Sequence, residues 1–492
     1  SFNRSNRLKM KSLISLLNHV GAQWSGNDGT VRGITTDSRK AEPGMLFVTI
    51  CGTQTDAHQF IPQVLEKGAW VLAQEGKTDL TDGLAFVPNP QQVLGDLASA
   101  FYDFPSKHLR MVGVTGTNGK TTVATVLFQA CMSMGYPCGL ISTVENRIGN
   151  QIIPSTHTTP DPISLQALLA EMRDAGVSYV FMEVSSHAIH QNRIGGIAFE
   201  VALFTNLTHD HLDYHGTFAH YRDAKKLWFD HLTKSATAIV NKDDKNSMVM
   251  VQNTKANIQT YSLHSMADYK GRLKSIGLEG MELEINGISA FYRLTGAFNA
   301  SNLLAIFGAG KVLGFDSEEW IQTLSATPAA RGRMETVVST NDKIIGIVDY
   351  AHTPDALKNV LETIQQMRHP NQRIHCLVGC GGNRDAEKRP IMGAIAAVLS
   401  DRVILTSDNP RNEDPQSILE QMWAGIGLHL QSKVLRLADR KEAIRLAVST
   451  ASAGDIILVA GKGHETYQEI QGVKFDFDDL SQLQISFKEM NR

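Results

Sequence analysis

The stretch Met111 to Thr122, MVGVTGTNGKTT, constrains the fold of this chain more than any other. A short apolar run leads into the turn Thr115-Gly116-Thr117-Asn118-Gly119-Lys120-Thr121-Thr122, and a helix-like pattern follows through Val123, Val126, Leu127 and Ala130. A strand feeding a glycine-bearing turn into a helix N-terminus aims successive backbone N–H groups and the positive helix end at one place, which suits polyphosphate. In that arrangement Lys120 reaches the terminal phosphates and the Thr121 hydroxyl faces Mg2+. The strict pattern wants glycine at position 114, where this chain has Val114, so the match is to a variant phosphate loop, GTNGKT. An ATP site over Gly116, Thr117, Asn118, Gly119, Lys120, Thr121 and Thr122 is expected, because an ordinary glycine turn gives no reason for Gly-Lys-Thr to open a helix.

At 492 residues the chain is long enough for about three domains, each with a core. A net charge of −3 without a long basic run argues against a nucleic-acid partner. Cys51, Cys131, Cys138, Cys376 and Cys380 are odd in number and form no CxxC pair, so neither a disulfide framework nor a zinc ribbon is suggested and a reducing cytoplasm is expected. No apolar run approaches the roughly 18 to 20 residues that span a bilayer, and the polar opening SFNRSNRLKMK lacks a signal-peptide core.

Three segments follow. Residues 1–104 read as a small α/β unit, with strand-like runs around TTDSRKAEPG and a helix over Gln91 to Phe101. Tyr102 to Ser106 is a linker, since Pro105 disfavours helix continuation. Over residues 105–332 apolar strands alternate with amphipathic helices: MVGV, then the helix after Lys120; VSYVFMEV, then SSHAIH; FEVALFTNL, then Phe218 to Leu232. Such alternation gives a mostly parallel, helix-covered sheet whose active groups gather at strand carboxyl ends. Over residues 333–492 the rhythm restarts as a second doubly wound unit, with IIGIVDYAH, IHCLVGCGGNRD, RVILTSDNPR and DIILVAGKGHE as strand-plus-turn segments.

Thr208 to His215, THDHLDYH, is dense in metal-ligand types. Its H-x-H-x-D core is similar to the zinc motif of metallo-β-lactamase-type hydrolases, but that motif continues with histidine where Tyr214 stands, and a phosphate loop upstream favours Mg2+. Glu183 ends a buried run, where a carboxylate is costly without a cation or hydrogen bonds, so a metal ligand is favoured over a structural ion pair. Lys225, in YRDAKKLWF, reads from spacing alone as a solvated helix residue. Arg384, Lys388, Arg389 and Arg411 place cations on two neighbouring strand-end turns, and guanidinium forks match carboxylates bidentately, so a pocket for a small anionic substrate is expected.

GTNGKTT, MEVSSHAIHQNRIGG, TNLTHDHLDYHG, the pair Tyr221 and Lys225, GAFNASN, GRME, DYAHTPDAL, GCGGNRD, DNPR and GKGHE stand in order, and with them the chain closely resembles the Mur ligase family from about residue 36 to residue 465. The resemblance implies an α/β protein of three domains: an N-terminal UDP-binding domain (1–104), a central phosphate-loop ATPase domain with a parallel sheet (105–332), and a C-terminal Rossmann-like amino-acid-binding domain (333–492). It implies a cytoplasmic, monomeric ligase of peptidoglycan precursor synthesis. Its expected partners are ATP, UDP-N-acetylmuramoyl-L-alanyl-D-glutamate and meso-diaminopimelate, with no nucleic acid and no membrane insertion.

The resemblance reverses the reading of Lys225, which matches a lysine carbamylated by CO2 and so able to hold Mg2+ together with Thr121, Glu183 and His211. With Lys120, the residues Lys225, Glu183 and His211 form the implied catalytic set. Asn302 matches the adenine side, and Arg333 and Asp349 match nucleotide-contacting positions of the C-terminal domain. Ser38 and Thr53-Gln54-Thr55 match the UDP turns, although the family often has Gly-His-Gln where this chain has Gly52-Thr53-Gln54. His157, Thr158, Thr159, Ser185, Gln191 and Arg193 match contacts to the muramoyl dipeptide. Arg389, Asp408, Asn409, Pro410, Arg411, Gly461 and Glu465 match the amino-acid pocket, where Arg411 offers a fork for the carboxylate that distinguishes diaminopimelate from lysine. Two rivals stand beside this reading: a phosphate-loop regulatory switch, which needs no amino-acid pocket, and a folylpolyglutamate synthase, which shares the ATP core and lacks a UDP domain.

Overall fold

The computed structural model describes residues 10–52, 56–153, 159–208 and 217–492. Of the expected site residues, Thr53, Gln54, Thr55, His157, Thr158 and His211 lie outside the described residues. The chain divides into two compact units, Ser1–Lys270 with Leu304–Ser317, and Gly271–Leu303 with Glu318–Arg492.

The first unit opens with a short antiparallel pair, β1 (Lys11–Ser12) and β2 (Thr30–Val31). A parallel sheet of β3 (Gly33–Thr35), β4 (Met45–Val48), β5 (Trp70–Gln74) and β6 (Leu84–Val87) follows, in sequential order. Strand alternation decides which side chains meet. Leu46 and Val48 share a core with Leu13, Leu16 and Leu94, whereas Phe47 between them packs with Ile61 and Val64. The helix Pro90–Phe101 starts on an Asn89 cap with proline in its first turn and stops before Asp103 and Phe104, both at positive φ.

A larger sheet of the same unit carries β7 (Arg110–Thr115), β8 (Cys138–Ile141), β9 (Asn146–Ile148), β10 (Gln151–Ile153), β11 (Tyr179–Glu183), β12 (Val201–Phe204), β13 (Thr237–Asn241) and β14 (Asn257–Ser262). Its order is β10-β9-β8-β11-β7-β12-β13-β14, parallel from β8 to β14. The strands are continuous apolar runs because helices such as Lys120–Ser133, Pro162–Asp174 and Phe218–Asp230 accompany them. The order matters for chemistry: β7 lies between β11 and β12, so the turns after those three strands are neighbours.

β15 (Tyr269–Gly277) begins in the first unit and continues in the second, where it forms an antiparallel meander with β16 (Gly280–Ile285) and β17 (Ile288–Tyr292). The second unit then builds β18 (Glu335–Val338), β19 (Ile345–Asp349), β20 (Ile374–Val378), β21 (Arg402–Leu405), β22 (Val434–Arg436) and β23 (Ile456–Ala460) into one sheet, order β18-β19-β23-β20-β21-β22, with only β18 antiparallel. Alternation again sorts two cores. Cys376, Val378 and Leu458 pack with the helices Pro354–Met367, Lys388–Leu399 and Pro415–Ala424, while Leu377, Ile457 and Val459 pack with Arg440–Thr450 and Asp479–Glu489. The sequence pattern ends the series at DIILVAGKGHE; the chain in fact adds a hairpin, β24 (Tyr467–Ile470) and β25 (Val473–Asp476), and that last helix. Among the described residues no helix is long and apolar enough to cross a membrane.

Candidate functional site

At the carboxyl end of β7 the chain turns through Gly116, at φ +149°, and Gly119, at φ +90°, before the helix Lys120–Ser133. A Cβ on Gly116 would overlap the Thr205 hydroxyl, so the turn requires glycine there. The neighbouring turn after β12 braces it. Thr117 N donates to Asn206 O at 2.8 Å, Asn118 N donates to Asn206 Oδ1 at 2.9 Å, and Thr205 Oγ1 donates to Asn118 O at 2.6 Å. Lys120 Nζ folds back to Gly116 O and Thr117 O at 2.9 and 3.0 Å, over the loop that its family position would have it complete. Thr121 and Thr122 are buried in the first helical turn.

Lys225 corrects the reading from spacing. It is 1 % exposed, and its Nζ donates to Thr115 Oγ1 at 3.3 Å and Gly116 O at 3.1 Å. The physical reason is helical phase: Tyr221, Lys225, Trp228 and Phe229 share the buried face of Phe218–Asp230, while Lys226 takes the outer face and pairs with Asp230. Tyr221 contributes twice, with its ring under the Lys225 amine at 4.9 Å and its hydroxyl 3.2 Å from Thr117 Oγ1.

Glu183, at the end of β11, is 1 % exposed, and among the described residues hydrogen bonds compensate it: Thr143 N donates to Oε1 at 2.9 Å and Thr143 Oγ1 to Oε2 at 3.2 Å. Around the same strand end, Thr159 Oγ1 donates to Glu183 O at 3.0 Å. Arg193 donates from Nη1 to Thr159 O at 2.9 Å, and from Nε and Nη2 to Gln191 Oε1 at 2.9 and 2.7 Å. Ser185 caps Ser186–His190 by accepting from Ala188 N. Thr159, Ser185, Gln191 and Arg193 are thereby brought together beside the phosphate loop. In the N-terminal sheet Ser38 is buried in a short helical turn capped by Asp37.

Next to Thr53–Thr55, Cys51, Asp56 and His58 cluster in a way that looks metal-ligating. Yet Gln74 N donates to His58 Nε2 at 3.1 Å, which fixes the ring proton on Nδ1, 2.5 Å from Asp56 Oδ1. The pair is therefore an anchor for the chain at Asp56–His58. It holds the Asp56 carboxyl at about 2, through the His58 backbone N–H first and its ring second.

In the second unit Asn302 is buried on Ala297–Leu313 with its amide on Asn299 Oδ1. Asp349 accepts from Met334 N and Ala351 N at 2.8 Å each, and burial pushes its carboxyl up. Arg333 lies over the Tyr350 ring at 4.9 Å, and the His464 ring sits 4.9 Å from the Tyr350 ring, tilted by 39°, its imidazole driven down to about 3 by burial and then by Arg333.

The carboxyl ends of β20, β21 and β23 hold the expected amino-acid residues. Asn409 Nδ2 donates to Glu465 Oε2 at 2.8 Å, and the fully buried Lys462 donates to Asn409 Oδ1 and Glu465 Oε2 at 3.0 Å each. Burial raises the Glu465 carboxyl against the opposing Lys462 charge. Gly461, at φ +113°, would bring a Cβ within 2.6 Å of Asp408 Oδ2, and a Cβ on Gly382 would overlap Pro410 O. Arg411, at φ +51°, donates from Nη1 to Gly382 O at 2.9 Å and keeps Nε 3.4 Å from Glu469. Arg389 differs from the expected anion fork: both Nη atoms engage Glu413, at 2.8 and 2.9 Å, with Gln421 and Gly381 O as further acceptors. Arg384 is exposed, and Lys388 donates to His352 O. Motif reading used Tyr221 only as a spacing partner of Lys225 and gave no role to Lys462 or Glu413; a lysine inside a glycine-rich strand-end turn was the available signal for Lys462.

Comparisons with known proteins identify the family. Residues 114–310 match the Mur ligase middle domain and residues 332–463 the Mur ligase glutamate ligase domain. A UDP-N-acetylmuramoyl-L-alanyl-D-glutamate–2,6-diaminopimelate ligase of Cytophaga hutchinsonii is 51 % identical over 96 % of this chain and 97 % of its own length. Its counterpart from Bacteroides fragilis is 49 % identical over 98 % of this chain and 99 % of its own. A solved structure of a ligase of that name has a TM-score of 0.72 at 33 % identity, covering 98 % of this chain and all (100 %) of that one. The Thermotoga maritima folylpolyglutamate synthase, at 14 % identity and a TM-score of 0.59, shares the fold over 75 % of this chain. With two family models covering the phosphate-loop sheet and the strand-end pocket, and relatives half identical from end to end, this chain belongs to the Mur ligase family.

Proposed function

We propose that this chain joins meso-diaminopimelate to UDP-N-acetylmuramoyl-L-alanyl-D-glutamate at the expense of ATP, in the cytoplasm and as a monomer, with roles divided over residues 1–104, 105–332 and 333–492 as the family pattern implies. The observation that carries the reading is the strand-end cluster Asp408–Arg411, Lys462 and Glu465, which offers cations and carboxylates together, as a zwitterionic amino acid with a second carboxylate requires. Membership in a family whose half-identical relatives bear that activity in their names supports it.

The chemistry follows from the groups. A carboxylate repels an amine nucleophile, so the D-glutamyl side chain first takes the γ-phosphoryl of ATP. The loop N–H groups and Lys120 hold the phosphates where charge develops, since positioning and electrostatics dominate phosphoryl transfer. The amine of diaminopimelate then attacks the acyl phosphate, and the tetrahedral adduct collapses to amide and phosphate. Thr159, Ser185, Gln191 and Arg193 orient the dipeptide, Arg411 takes the distal carboxylate, and Glu465 faces an ammonium.

Mg2+, when bound, disperses charge on the phosphoryl oxygens. Thr121, in the first turn of the helix after β7, and Glu183, at the end of β11, would hold it as hard oxygen donors, and the family pattern adds His211 and a carbamylated Lys225. Lys225 fits in position, being buried against the loop; its contacts to Thr115 Oγ1 and Gly116 O are those of the amine form. Phosphate release tests the reading: full-length protein with ATP, Mg2+ and the UDP-dipeptide is expected to release phosphate readily with meso-diaminopimelate and only at a low residual rate with lysine or ornithine. Release that needs no amino acid overturns it in favour of a switch.

A further inference from the structure

Arg440 is the first residue of the helix Arg440–Thr450, a place where arginine is normally solvated, yet it is buried. Its Nε and Nη2 donate to the two oxygens of Asp479 at 2.8 and 2.7 Å, with both side chains at 0 % exposure. Its remaining donors reach two carbonyls: Nη1 to Ser407 O at 3.1 Å and Nη2 to Ala460 O at 3.0 Å.

Those carbonyls are not arbitrary. Ser407 immediately precedes Asp408 and Ala460 immediately precedes Gly461, so the guanidinium ties together the entries to both turns of the amino-acid pocket. Their strands, β21 and β23, do not pair with each other, because β20 lies between them. No ladder hydrogen bond therefore sets the separation of the two turns. That separation is tight: a Cβ on Gly461 would come within 2.6 Å of Asp408 Oδ2. Stability alone is a weak reason for the arrangement, since a buried ion pair replaced by apolar residues of similar volume is often no less stable. What an apolar pair cannot supply is donors for two backbone carbonyls.

We infer that Arg440, oriented by Asp479, is a positioning residue for the amino-acid substrate: it fixes the spacing between the turn Asp408–Arg411 and the turn Gly461–Glu465, and so the fit of a dicarboxylic diamino acid between them. This role rests on those turns holding diaminopimelate. It touches neither the phosphate loop nor the dipeptide residues.

The test is the full-length double variant Arg440→Met with Asp479→Leu, which keeps the site filled and uncharged but removes the carbonyl donors. Steady-state kinetics with each substrate varied in turn is expected to show kcat/KM for meso-diaminopimelate falling about 10- to 100-fold, mainly through KM, as for an ångström-scale misplacement. KM for ATP and for the UDP-dipeptide should stay within about twofold, as for independent sites, and melting should stay cooperative but at a lower temperature than wild type, because two buried carbonyls lose their donors. Unchanged KM for diaminopimelate in a folded double variant overturns the inference, as does a uniform fall in kcat with every KM unchanged. Should the double variant not fold, Arg440→Lys decides in its place, because the three N–H groups of an ammonium radiate from one atom and do not reproduce the spread of Nε, Nη1 and Nη2 over Asp479 and both carbonyls. The same raised KM for diaminopimelate supports the role there, and an unchanged one overturns it. Wild-type protein that does not use diaminopimelate at all overturns the functional reading first, and this role with it.

Discussion

The phosphate loop and the proposed amino-acid pocket both sit at the carboxyl ends of parallel strands, but they are built by different means. In the first, a contiguous turn supplies the geometry: Gly116, Gly119 and the helix start at Lys120 create the site, and the neighbouring turn only braces it. In the second, residues from 382 to 479 meet through side chains: Lys462 on Asn409 and Glu465, Arg411 between Gly382 and Glu469, and Arg440 across Ser407 and Ala460. A site made by local backbone is written in consecutive letters, and one made by long-range side-chain ties is not.

The largest expected effect lies where the two kinds of construction meet, at Lys225. Lys225→Ala should lower kcat by at least about 10²- to 10³-fold, the scale for losing a preorganised charge at a reacting centre, while melting stays cooperative. Added short-chain carboxylates should restore part of the turnover. Near-normal phosphate release by the variant would remove the carbamate from the account.

A pair of alanine substitutions sharpens the contrast. Gly116→Ala forces a Cβ into Thr205 and should cost about 100-fold in kcat/KM for ATP, whereas Gly461→Ala pushes Asp408 aside and should cost a similar factor for diaminopimelate. If both variants lose ATP and diaminopimelate equally, the two sites are not separable in the way described.

Arg411→Ala comes next. Losing a charge-assisted contact costs roughly 1.5–3 kcal/mol, about 10- to 150-fold in kcat/KM for diaminopimelate. The low residual rate with lysine, which has no distal carboxylate, should not change. An equal loss for both amino acids would assign Arg411 to the shared α-amino-acid end instead.

How legible each region was follows from the same contrast. The strand–turn–helix rhythm, the phosphate loop and the order of segments could be read because apolar periodicity and glycine spacing are local. The meander β15–β17 and the hairpin β24–β25 carry weak, part-exposed alternation and went unread. Lys225 was misread from spacing because periodicity reports which face is apolar, not that a lysine can share it with Tyr221 and Phe229. The bidentate pairing of Arg389 with Glu413 could not be read from motifs because its partner lies 24 residues away. The Asp56–His58 anchor was invisible for another reason: only Gln74 N, from a neighbouring strand, fixes the tautomer that distinguishes it from a metal site.

That anchor gives the smallest expected effect. Asp56 is held at about 2, below the ordinary carboxylate value of 3.8, so its contribution to stability is fully present above about pH 4 and is lost as pH falls toward 2. Asp56→Asn should therefore melt slightly lower than wild type at neutral pH, with the two curves converging as the pH approaches 2. Parallel curves across that window would mean that the carboxylate adds nothing to the anchor.

The most direct test of the whole account is a competition read by mass spectrometry. Full-length protein is incubated with ATP, Mg2+, the UDP-muramoyl dipeptide and an equimolar mixture of meso-diaminopimelate and lysine, and the UDP product is weighed. The account predicts a product heavier by one diaminopimelyl residue, with no detectable lysyl product and ADP formed in step with it. A lysyl product, or ADP and phosphate without any heavier UDP species, would contradict it.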